Sequence, residues 1–480
     1  MATTNTTDGG LRTGSVGLPT AISATFGLIL ATTVMVTVPQ LYAASTIGLY
    51  AMIIALVVMY AQVMSFSELA TMIPKAGSMN EYVRAGLGPF MATVTVFVGY
   101  FAIVIFPGSS EAFLSATILS DPAFLDLGLT FKWWVVIIVV GIAIVNLLGI
   151  RAFAAIEVPL TFLLAASLLI FGLAGLAGVG DPVGSALPTI PFDMDLLLSL
   201  IALATFTFVG VEYTCPLAEE LRDPGKQIPW GMFIGLSLVA VPMFLWGIAA
   251  TRYFPPDVLG DPTQITNMNV AIAMFDDLGK WWMGILSVAA TISTLNAVAA
   301  GVPRIIYGMS QDRQLPAVLG WLTPGTRAPA VGIVLVSIPP IWLNVTDQTL
   351  EGGFLELILA GVLGWALAYI IIHISQIVLR IKEPQARRPY RAPLWPVPQL
   401  IGIALLIVAM INVFPVPEIE SNIYRNFGIF LAISIVFSLI YNAVTYGFGK
   451  MFKPVPLAEV YAETEHIAEM MPDDHEHGRG

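Results

Sequence analysis

Charge is what this sequence has least of: Asp, Glu, Lys and Arg together make up 11% of its 480 residues. A water-soluble chain of that length needs far more charge on its surface, so soluble-protein chemistry is excluded. Cysteine is nearly absent too. With Cys215 alone no intramolecular disulfide can form, and the redox compartment stays open. No nucleophile–base pair, cofactor loop or metal-ligand cluster falls within the apolar segments, which disfavours an enzyme and implies no cofactor or metal. A cleavable signal peptide is not expected either, because residues 1–18 are polar, rich in Gly and Thr, and lack a basic stretch ahead of a small-residue cleavage site. Nothing in the composition points to nucleic acid.

Apolar residues, by contrast, make up 57% of the chain and gather in runs of about twenty, the length that spans a hydrocarbon core as helix. β-Barrel strands would alternate over about ten residues, and no such alternation occurs. The runs fall at roughly 19–39, 46–68, 90–119, 133–150, 154–178, 195–217, 229–250, 281–309, 329–345, 354–380, 398–415 and 426–448. Twelve spans of an all-α polytopic membrane protein are therefore expected. Reading the loops alternately, 17 of the 21 Lys and Arg residues lie on one side and only Lys132, Arg252, Lys280 and Arg425 on the other. The positive-inside rule makes the first side cytoplasmic and puts both termini there. The outer loops carry Asp257, Asp261, Asp276, Asp277, Asp347 and Glu351. This divides the chain into a cytoplasmic tail over 1–18, a membrane domain over 19–450, and an acidic cytoplasmic tail over 451–480. Residues 1–16 read as disordered, and His475 and His477 as part of a solvated tail. The "NVT" at Asn344 sits on the outer side and fits a glycosylation acceptor.

A carboxylate at the bilayer centre costs on the order of 3 kcal/mol, so intramembrane acids are functional candidates by default. Glu157 lies six residues past Arg151 and reads as a solvated or salt-bridged helix end. Glu111 follows "FPGSS" in the outer half of the third run, a candidate for lining a cavity. Glu212 stands between Gly210 and Pro216, seven residues before Glu219, which buries it by roughly 10 Å on a helix. It reads either as a structural carboxylate held by backbone donors or as a participant in transport.

The segment "FTFVGVEYTCPLAEELRDPGKQIP" resembles the Phe-x-Gly-x-Glu signature of the amino acid–polyamine–organocation (APC) transporter superfamily. "SELATMIPKAGSMNEYVRAGLGP" (67–89), "LNAVAAGVPRIIYGMSQDRQLP" (295–316) and "LRIKEPQARRPYRAPLWP" (379–396) are similar to further family stretches in the expected order. The resemblance covers about residues 18–450. It implies an inverted repeat of five plus five spans, over about 19–178 and 195–380, with two extra spans over 398–448. Spans 1 and 6 would be interrupted and would form the substrate site, with Phe206 as an aromatic gate and Thr207, Phe208, Val209 and Gly210 as the unwound strip. Glu212 and Glu111 would be the proton-coupling candidates.

Two departures from the family bear on the substrate and the coupling ion. Amino-acid-selective members carry a small Gly-Ser-Gly-like triplet in span 1, where this chain has Ala31, Thr32 and Thr33. Sodium-independent members keep a lysine in span 5 between spans 1, 5 and 8, and this chain has none, its equivalent position falling near Leu164. Ser293 and Thr294 in span 8 could offer hydroxyl oxygens to sodium. The coupling ion is H+ or Na+. The implied function is secondary active transport of amino acids or related amines across the plasma (inner) membrane by alternating access. A zwitterionic amino acid is the leading substrate and a cationic amine or polyamine the alternative. A non-transporting nutrient sensor is the competing class, weakened by tails too short to form a signalling domain.

Overall fold

The computed structural model describes residues 10–125, 127–261, 264–347 and 353–462. Glu351, His475 and His477 lie outside them. Each of the twelve apolar runs contains helix. In chain order the main helices are α1 (Leu18–Ile29), α2 (Thr32–Tyr42), α3 (Ser45–Met72), α4 (Met79–Leu87), α5 (Pro89–Ser120), α6 (Phe131–Leu147), α7 (Ile150–Ala177), α8 (Met194–Phe206), α9 (Pro224–Ala250), α10 (Thr266–Gln311), α11 (Ala330–Val345), α12 (Phe354–Lys382), α13 (Val397–Ile411), α14 (Pro417–Tyr446) and α15 (Leu457–Ala462). Among the described residues, eight helices are long and apolar enough to cross a membrane, or nine when the bent pair α1–α2 counts as one. The expectation of twelve is not met by length, because α6, α11 and α13 are shorter apolar helices of 10–17 residues.

Their exteriors show why the chain needs lipid. On α6, Trp133, Ile137, Val140 and Ile144 are exposed at intervals of three and four residues, and on α14 so are Ile429, Ile433, Val436, Ile440 and Val444. Stripes of this size are not left in water. The polar residues lie inside instead. Glu68 meets Arg380 and Arg388, Glu220 meets Arg304, and Glu81 meets Lys75 and Arg84. All of these pairs join the Lys/Arg-rich side. Burial disfavours the charge on Glu81, but Lys75 and Arg84 more than offset it and hold that carboxyl below its ordinary range.

The same side is closed by a segment expected to be disordered. Leu11 packs with Ala76 and Tyr307, and Val16 forms a parallel bridge with Leu221. In that bridge Val16 N–H donates to Glu220 O at 3.1 Å and Arg222 N–H to Val16 O at 3.1 Å. Two apolar side chains and two backbone bonds order residues that composition alone marks as loop. The outer side corrects the glycosylation reading: Asn344 is buried, its amide donating to Ser109 O at 3.0 Å and Pro340 O at 2.7 Å. It offers no free amide to a sugar.

Candidate functional site

The first span breaks where its small triplet begins. α1 ends at Ile29, Leu30 leaves helical geometry, and Ala31 is extended (φ −90°, ψ 159°) before α2 starts at Thr32. The two halves diverge by 56°. A helix start leaves its first amides without intrahelical acceptors, and no side chain near in sequence caps α2. The acceptor comes from α5 instead. Glu111 receives Thr32 N–H at 2.7 Å on one oxygen and Thr33 N–H at 2.9 Å on the other. Thr291 of α10 adds a hydroxyl bond at 2.7 Å. A carboxylate on a helix N-terminus is favoured both by its hydrogen bonds and by the helix dipole.

The sixth run breaks as well. α8 ends at Phe206, residues 207–210 turn, and a 3-10 segment runs over Val211–Glu220. Gly210 sits at φ +103°, a conformation that side-chain-bearing residues rarely adopt. Tyr369 of α12 ties this break down, donating to Glu212 Oε2 at 2.6 Å and accepting the Gly210 N–H at 3.1 Å. Replacing Tyr369 by Phe is expected to cost about 2 kcal/mol of stability, since it strips a donor from a buried carboxylate and an acceptor from a buried amide. Thermal unfolding of the purified protein measures it, and an unchanged melting temperature would contradict the tie.

Between the two breaks lies a small cavity of about 20 Å³, walled in part by Ala31, Thr33, Glu111, Phe206, Val209 and Thr294. Six of the twelve sequence candidates thus share one space. The other six stand behind it. Thr32 contributes its amide to Glu111 and its hydroxyl to Ser287 O. Thr207 bonds Ala204 O, Phe208 stacks on Phe244, and Gly210 and Glu212 meet at Tyr369. Ser293 donates to Glu157, and Thr294 donates to Gly27 O at 2.9 Å. Trp365 also walls the cavity. Its sole sequence signal was an indole in the middle of an apolar run.

Glu157 is where the sequence reading fails. It is buried at 0% exposure rather than solvated, and its partners are neutral. Ser293 and, at 2.8 Å, the Asn296 amide donate to its carboxylate, while Asn146 of α6 donates to Asn296 at 2.8 Å. Counting residues from Arg151 measures depth along α7 and not which face turns inward. The spacing of Phe153, Glu157, Thr161, Leu164 and Leu168, all buried, is the helical stripe that marks it.

With this geometry established, three comparisons bear on what it does. The family described as "Amino acid permease" matches residues 16–440. The branched-chain amino acid permease BcaP of Bacillus subtilis is 24% identical, over 72% of this chain and 75% of that protein. The methylthioribose transporter of the same organism is also 24% identical, over 78% of this chain and 82% of that one. Among solved structures, Mhp1, a nucleobase-cation-symport-1 family transporter in a closed conformation with bromovinylhydantoin bound, superposes with a TM-score of 0.53. It covers 91% of this chain and 99% of its own at 15% identity, a likeness of fold alone.

Proposed function

This chain belongs to the amino acid permease family, a multi-pass membrane transporter and not an enzyme, and on that premise we propose that it carries a small organic amine lacking a free carboxylate. The observation that carries the reading is Glu111. The amides of Thr32 and Thr33, the natural seat for a substrate carboxylate at a broken helix, already hold a carboxylate of the protein's own. A substrate bringing a second carboxylate would meet like charge, whereas an ammonium would meet Glu111 in a wall that also holds the aromatic rings of Phe206 and Trp365. Transport would proceed by alternating access across the plasma membrane, with the Lys/Arg-rich side cytoplasmic. In this reading the three short helices complete twelve spans, and spans 1–5 and 6–10 form inverted repeats.

A second reading is favoured by the relatives' names: a zwitterionic amino acid whose carboxylate displaces Glu111 from the α2 amides. Thermal shift separates the two. Isoamylamine or agmatine, at about 100 times its Kd, is expected to stabilise the protein by about 2.7 kcal/mol, with leucine giving no shift. Stabilisation by leucine and not by the amines would establish the amino acid reading instead.

A further inference from the structure

The cluster around Glu157 is separate from the cavity wall that Glu111 forms, and the transport reading so far gives it no task. Glu157 belongs to α7, which packs against α1, α6, α9 and α10. The groups these helices bring to its carboxylate are Ser293 and Asn296 from α10, with Asn146 from α6 behind Asn296. From α1 comes Gly27, where a Cβ would overlap the Glu157 carboxylate and stand 2.7 Å from Ser293 Oγ. None of these is charged. The charged residues on the same helices are directed elsewhere: Lys132 pairs with Asp347, Lys226 with Asp223 and Arg304 with Glu220, Lys280 donates to Ala123 O, and Arg151, Asp276 and Asp277 are exposed. α1 carries no titratable side chain at all.

A carboxylate fully out of water with only neutral partners is unstable as an anion and must be neutralised by a proton or by a metal cation. The spacing of the oxygens separates the two. A hard cation holds each ligand oxygen at about 2.4 Å, which sets neighbouring oxygens roughly 3.3 Å or more apart. Here the oxygens are hydrogen-bonded to one another, Ser293 to Glu157 and Thr294 to Gly27 O at 2.9 Å. The hydroxyls that the sequence offers to sodium donate to protein acceptors instead.

We infer that Glu157 is a proton-binding site, neutral while α1, α7 and α10 are joined at this cluster and ionised when they part. The step is an acid–base exchange: the carboxyl O–H releases its proton to water that enters as α1 withdraws, and takes one back before the helices close. Gly27 puts the backbone of the broken first span directly against this carboxyl, so its charge state and the position of α1 are linked. On the transport reading above, that linkage makes Glu157 the site of the coupling proton.

The test needs no substrate. In nanodiscs of phosphatidylethanolamine and phosphatidylglycerol, infrared spectra of the wild type are expected to show the carbonyl band of a protonated buried carboxylic acid at about pH 7, well above the ordinary glutamate range. The band should fade as pH rises and be missing from Glu157→Gln. Hydrogen–deuterium exchange, corrected for its chemical rate, should rise in Leu18–Ile29 of the wild type as the band fades and stay flat in Glu157→Gln. An unchanged band in the variant, or equal exchange in both proteins, overturns the inference. So does sodium chloride, but not choline chloride, protecting the wild type and removing the band, which would assign the site to sodium. If Glu157→Gln does not fold, labelling of Glu157 by dicyclohexylcarbodiimide in the wild type decides: modification at about pH 7 that is lost at high pH supports the site, and no modification at either pH sinks it. A protein that meets these expectations yet moves no amine or amino acid would refute the transport reading and leave the proton site standing.

Discussion

Glu111→Gln is expected to weaken amine binding about 100-fold, near 2.7 kcal/mol. The amide that replaces the carboxylate has one acceptor oxygen for two α2 amides, and its NH2 group faces the other N–H. The negative charge that meets the helix dipole, and that would meet the ammonium of the proposed amine substrate, is lost with it. Isothermal titration with agmatine measures the change. Glu111→Ala makes a sharper prediction: it frees the amides of Thr32 and Thr33 beside a larger cavity, so a carboxylate ligand such as leucine should bind this variant more tightly than the wild type. Amine affinity unchanged in Glu111→Gln, together with no gain in leucine binding for Glu111→Ala, would remove Glu111 from the substrate site.

Gly210→Ala should be the most damaging conservative change to the fold of the site. At φ +103° an alanine pays backbone strain of about 1–3 kcal/mol. Its Cβ would also overlap Leu28 of α1, whose Cγ would lie 2.8 Å away, and overpacking a core costs about 1–3 kcal/mol more. A total near 4 kcal/mol is expected, read as a large fall in the unfolding midpoint. Comparing the double variant Leu28→Ala/Gly210→Ala with Leu28→Ala alone isolates the two causes. The difference should lose the steric part and keep the backbone part, so equal stability of the two would show that the left-handed backbone is not the constraint.

How much of this was legible in the sequence depended on whether a property is local. The apolar runs became helices because run length and composition decide that within the segment. The break at Thr207–Gly210 was readable because Gly210 and Pro216 carry it themselves, and the cavity residues Ala31, Thr33, Phe206 and Val209 followed from the family resemblance. The cap on α2 was not legible. Glu111 stands 78 residues beyond Thr33, and nothing in either stretch records that they meet. Glu157 was misread for a related reason: distance from a charged loop residue says how far along a helix a side chain lies, while its partners on α1, α6 and α10 come from three other runs. The runs over 133–150 and 398–415 pass the ends of α6 and α13 because apolar loop residues extend a hydropathy run beyond the helix, whereas the run over 329–345 ends with α11.

The bridge between Val16 and Leu221 has a mechanical consequence. Its two backbone hydrogen bonds clamp the chain just before the first broken span to the chain just after the second, with Glu220 between them held by Arg304. Such a clasp cannot slide, because a one-residue slip would offer each N–H the wrong partner. Parting the two spans on this side is therefore an all-or-none release, and fastening them again requires one register. Residues 10–17, ahead of the first helix, thus act as the tongue of a buckle, and a bulky group placed against them would keep it from closing.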